Sequence, residues 1–167
     1  MQISDALLPE FDQEMANTRK CLARIPADKF TYRPHAKSFD MGSLAVHIAT
    51  VCDWGVTVLN SDNFDYAPVG AEPYRAPIAK NTDELLAMFD KGTKEFREAL
   101  AKTDNDTFMK PWSLLAGGNT IFTMPKVVCI RSMIFNHLVH HRGQLTVYLR
   151  LNDLPVPGVY GPSADES

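Results

Sequence analysis

Clustered basic charge is missing from this sequence, and its absence is the first constraint. The 17 lysines and arginines are scattered among 20 acidic residues, for a net charge of −3, so no positive stripe exists to track a phosphate backbone or an anionic bilayer. Neither nucleic acid nor a membrane is expected as a partner. Cysteine is scarce: Cys21, Cys52 and Cys129 are isolated, odd in number and far from any Cys-x-x-Cys spacing. They read as reduced core thiols rather than as a disulfide framework or a metal knuckle. The N-terminal stretch MQISDALLPEFDQEM has acids where an export signal needs basic residues. No run approaches the roughly 18 to 20 apolar residues of a membrane helix, and the expected location is the cytoplasm. Internal repeats and low-complexity segments are also lacking.

What is present is an ordinary apolar fraction, 45% of 167 residues, enough for a single domain over 1–167 with a core of its own. Leu7, Leu8, Phe11, Met15, Thr18 and Leu22 recur at helical steps and predict a helix from Asp5 to Arg24. Ser38 or Asp40 can cap a second, striped by Met41, Leu44, His47, Ile48, Val51 and Trp54 and ending near Asn60. The segment SDNFDYAPVGAEPYRAPIAKN has three prolines, no helical period, and the length of a crossover. Thr82 then opens a third helix, striped by Leu85, Phe89, Phe96 and Leu100 and reaching about Lys102. Aromatic and branched residues flank Gly117-Gly118-Asn119, the pattern of a small irregular hairpin. Pro125 opens the longest pattern, Ile130, Met133, Ile134, His137, His141, Leu145 and Tyr148, which persists to about Asn152. The resulting expectation is an all-α, antiparallel four-helix bundle with a long crossover between helices 2 and 3, a class that carries its sites on facing helices.

Three of only five histidines fall in the stretch FNHLVHHRGQLTVYLRL. At about 100° per residue, His137 and His141 stand about 40° apart, one turn along the axis, so both rings reach a single point. His47, on the inward stripe of the second helix, supplies a third nitrogen. An inward histidine is more often a hydrogen-bonded core residue than a ligand, and His140 converges with His137 as an alternative to His141. Three neutral imidazoles nevertheless suit a borderline divalent ion such as Zn²⁺ or Ni²⁺, and three protein ligands leave a position for water or substrate. His35, beside Pro34, reads as a turn residue.

The segments LAVHIA, FTYRPHAKSFDMGSL and NHLVHHRGQLTVYLRLNDLPVPGVYGP resemble the DinB-like superfamily, metalloenzymes related to YfiT and to the bacillithiol- and mycothiol-dependent S-transferases. The resemblance covers nearly the whole chain and centres on one histidine followed by His-x-x-x-His-Arg-Gly-Gln. It implies an up-down-down-up bundle, commonly homodimeric, with a divalent metal on residues matching His47, His137 and His141. Within the continuation, Gly143 reads as a site of close helix approach. Gln144 is the candidate catalytic side chain, holding a metal-bound water or an imidazole, unless it is a polar contact within the bundle. Arg142 points away from the stripe, toward a carboxylate of a loop or of a dimer partner. Trp54 and Tyr148 belong either to a pocket wall or to the core, and Asp40 to a helix cap.

An open three-histidine centre activates water for hydrolysis or binds a low-molecular-weight thiol as thiolate. With no carboxylate on the inward stripes beside the histidines, the second chemistry fits better. The expected function is a metal-dependent thiol S-transferase or hydrolase acting on a small electrophile. The alternative is a non-catalytic metal-binding stress-response protein.

Overall fold

In the computed structural model, which describes residues 2–166, the first helix, α1, runs Ile3–Leu22. It buries Leu7, Phe11, Met15, Thr18 and Leu22, the stripe that the sequence spacing requires. α2 covers Met41–Asn60, and its start is fixed by Asp40, whose side chain accepts from the Ser43 backbone N–H at 2.7 Å. That bond satisfies one of the amide donors that the first turn leaves orphaned. By length and composition α2 passes for a membrane span, yet 67% of its 18-residue apolar window is buried inside the fold. It is the core helix.

α3, Thr82–Lys102, is capped by the side chain of Asn81, which accepts from the Glu84 N–H, and buries Leu85, Phe89, Phe96 and Leu100. It packs against both α1 and α2. Two bidentate pairs clasp it to α1 along the exposed edge, Arg19 with Asp90 and Arg97 with Asp12; being solvated, each contributes no more than about 1 kcal/mol. The seam with α2 is closer. A Cβ added at Gly55 would stand 2.5 Å from the Phe96 ring, so only glycine lets those two helices meet. After a short α4, Asn105–Met109, and a hairpin, the chain enters its last helical stretch: α5, Lys126–Cys129, then a π-helical segment Ile130–Asn136, then α6, His137–Leu151. α6 packs on α1 and α2 and completes the set of long helices.

An all-α fold is not what forms. The chain is mainly helical but includes a three-stranded sheet, β1 Asn63–Asp65, β2 Pro111–Ala116 and β3 Asn119–Pro125, in the order β1-β2-β3. β2 and β3 make the hairpin that the aromatic and branched residues suggest. Its turn is at Gly117 and Gly118, whose φ values of 58° and 78° only glycine adopts freely. The unforeseen strand is β1. It comes from the crossover and pairs in parallel, Asn63 with Ser113 and Asp65 with Leu115. Asp65 then accepts from the backbone N–H groups of Ala67, Gly117 and Gly118, so one carboxylate ties the crossover to the hairpin turn.

Candidate metal centre

α6 has three faces, and the chemistry lies on the middle one. Leu138, Arg142, Leu145 and Leu149 are buried. At about 100° per residue, His137, His141, Gln144 and Tyr148 fall within about 60° of one another, roughly a quarter-turn from that buried stripe. His140, Gly143, Val147 and Leu151 share the remaining, exposed face. The sequence pattern had merged the first two faces. Carried back as a straight α-helix, Ile130 would lie about 80° from Leu138, on the histidine side. The wider π-helical winding of 130–136 instead returns Ile130, with Ile134 and Phe135, to the core. The histidines are thereby left half-buried at the boundary, facing outward from the packed interior rather than into it.

His47 meets them from α2. Its Nε2 is 2.7 Å from Nε2 of His137, and the His141 ring lies 4.5 Å, centroid to centroid, from each of the other two. One donor atom from each residue falls within 4.8 Å of the other two. Burial depresses all three imidazoles. His47 is pushed lowest, to about 4, by desolvation and then by the neighbouring rings of His141 and His137. Desolvation, then His141 and His140, lowers His137; desolvation also lowers His141, against a hydrogen bond to Gln144 that raises it. At neutral pH the three rings are uncharged, the form that ligates.

His141 Nδ1 is 2.8 Å from Gln144 Oε1. With that amide oxygen accepting, the ring proton sits on Nδ1 and the Nε2 lone pair is free. Gln144 thus holds an imidazole, and Arg142 finds its carboxylate on α1 rather than on a dimer partner. Arg142 is 2% exposed; it pairs with Glu14 at 2.6 Å and donates to the Glu14 carbonyl, to Thr18 Oγ1 and to the Tyr160 hydroxyl. Gly143 is exposed, and a Cβ there would meet nothing within 4 Å, so the close helix approach expected at this glycine does not occur. His140 is exposed, its ring 4.9 Å from that of His141 but outside the three-donor group. His35 is a turn residue whose Nδ1 accepts from the Lys37 N–H. Cys21, Cys52 and Cys129 are buried and unpaired, with thiols raised by desolvation.

The donor set fits a divalent cation. It is three neutral nitrogens with no Asp or Glu among the described residues joining them, a borderline set that suits Zn²⁺ or Ni²⁺. Comparison with known proteins gives the family: the family model for the DinB family matches residues 1–167. The chain belongs to the DinB family. Among curated proteins, YrdA of Bacillus subtilis (strain 168), itself uncharacterized, is 28% identical over 165 residues, covering 99% of this chain and 92% of YrdA. A DinB-like protein from Bacillus cereus ATCC 10987 has the same fold, with a TM-score of 0.70 at 23% identity over 95% of this chain and 98% of its own. A second DinB-like structure, YjoA of Bacillus subtilis, gives 0.68 at 18% identity over 90% and 96%.

Two features of this DinB protein escaped the sequence pattern. Lys126 is buried, and its ammonium donates to the carbonyls of Leu59 and Ser61, closing the C-terminal end of α2. A cavity of about 490 Å³ lies between α2, the crossover, the sheet and Met133, and Trp54 is part of its wall. The histidines do not line it, but Trp54 stands edge-on to His47 and also contacts His137. The signal for it lay in Phe64, Tyr66 and Tyr74, aromatics spaced through a segment that otherwise reads only as a connection.

Proposed function

We propose that this protein is a metal-dependent enzyme that transfers a low-molecular-weight thiol to a small electrophile. The observation that carries this reading is a three-histidine donor group that no fourth His, Cys, Asp or Glu joins among the described residues, the composition of catalytic rather than structural metal sites. His47, His137 and His141 would hold the ion, Zn²⁺ or Ni²⁺ by donor type, and the bundle with its helices ordered up-down-down-up would act as a rigid frame. When bound, such an ion stabilises a thiolate at neutral pH.

The chain's own residues supply the rest. Burial keeps the three imidazoles uncharged, and Gln144 holds the His141 proton on Nδ1. Trp54, packed against His47 and His137, keeps water from one side of the cluster. Among the described residues no Asp or Glu joins the histidine group to take a proton from water, which favours thiol transfer over hydrolysis. A closed shell would have favoured the non-catalytic reading.

The test is elemental analysis of the native protein beside His141→Ala, followed by assays of the metal-loaded enzyme with a panel of thiols and electrophiles. About one equivalent of Zn²⁺ or Ni²⁺ should be lost on substitution, and thiol consumption should require it. Unchanged metal content would remove the assignment of the ligands; a uniformly inactive panel with full metal would favour the non-catalytic stress-response reading.

A further inference from the structure

The cavity beside the histidines is built for a ligand that the metal centre does not explain. Its volume, about 490 Å³, is within the range of small-molecule sites. Rings dominate its wall: Trp54 and Tyr74 meet edge to face at 6.0 Å, and Phe64 meets Tyr74 at 6.4 Å. Trp112 closes the sheet side, itself buried and held by an Nε1 hydrogen bond to Ser61 Oγ. Tyr66 and Tyr74 remain 43% exposed at the mouth, an apolar wall left open to solvent.

Charge narrows the occupant. Among the described residues no lysine, arginine or histidine lines the cavity, and its one carboxylate is Asp53, raised from the ordinary carboxylate value first by desolvation and lowered in part by Lys91. An anionic group placed here would find no cation in the wall and one carboxylate against it. Flat, uncharged rings would instead find edge-to-face partners. The wall shared with the histidines, Trp54, places such a ligand next to the candidate metal centre.

We infer that this cavity binds the uncharged, ring-bearing part of the substrate, leaving its reactive end at the three histidines. The inference rests on the proposed function for the second half of that statement; the first half stands on the cavity alone. Thiols dense in carboxylates or phosphates are excluded from it, so the electrophile rather than an anionic thiol is its occupant.

The probe is N-phenyl-1-naphthylamine, an uncharged aromatic fluorophore, titrated into the full chain and compared with 8-anilinonaphthalene-1-sulfonate, which adds one sulfonate to the same rings. The uncharged probe should bind saturably and at least about tenfold more tightly than the sulfonate. Thr57→Trp, which fills the cavity from α2, should weaken it at least about tenfold, and Tyr74→Ala, in the exposed crossover, should weaken it measurably without touching a helix. Binding should persist in His141→Ala, which separates this inference from the metal assignment. If the probe does not saturate, ignores both cavity substitutions, or binds no better than its sulfonate, the cavity is not the ring site, whatever the metal analysis returns.

Discussion

Gln144 shows how much one side chain can decide. A neutral imidazole has one nitrogen with a proton and one with a lone pair, and only the second can face a cation. The 2.8 Å contact of Gln144 with His141 Nδ1 selects the tautomer that presents Nε2. Gln144→Leu keeps the size and removes the acceptor, so metal affinity should fall by roughly 10–100-fold, the usual cost of losing such a partner. Competition with a chromophoric chelator measures it. Equal affinities would mean that the amide contributes only to the surface of α6.

At the scale of elements, the contact that sets the position of α6 against α1 is ionic and buried. Arg142 with Glu14, closed over by Tyr160 from the C-terminal segment, fixes the helix that presents the histidines. Arg142→Met leaves a carboxylate in the interior without its cation and should cost about 3–5 kcal/mol in urea unfolding. The double substitution with Glu14→Met should recover a large part of that loss, because neither charge is then stranded. Simple additivity of the two single substitutions would refute the coupling. The sequence announced much at this scale. The stripes of α1, α2 and α3 are buried apart from Leu8, His47 and Trp54, which are half-buried, since a 3.6-residue period survives wherever the helix is regular. Along 130–151 the period breaks, and a reading at constant rotation put His137, His141 and Ile130 on one face. β1 was invisible for another reason: three residues paired in parallel with a strand far along the chain leave no local pattern.

For the molecule as a whole, the half-buried histidines make stability depend on pH when no metal is bound. An unfolded histidine gains its proton near 6.5, whereas His47 in the fold resists until about 4, with His137 and His141 also lowered. Between those values the unfolded chain holds more protons, so stability is full above about 6.5 and is lost as the pH falls toward 4. Carboxylates held low by partners, Asp12 by Arg97 and Asp165 by Arg150, extend the loss to more acid conditions; Asp53, raised by desolvation, opposes it. Urea midpoints measured with chelator should therefore drop between pH 7.5 and 5, and a flat profile would mean that the rings are better solvated than their packing indicates.

The π-helical turn gives the last helix one residue of slack. With exposed Ser132 removed, 130–136 can rewind as ordinary α-helix, and Ile130 then falls within about 20° of Leu138, still in the core, with His137 and His141 still aimed at His47. Removing Val139 instead swings Arg142, Leu145 and Leu149 about 100° relative to Leu138. A shortened chain that still takes up metal is expected from the first deletion and not from the second. This stretch is thus a place where the helix can lose a residue without its ligands losing their aim.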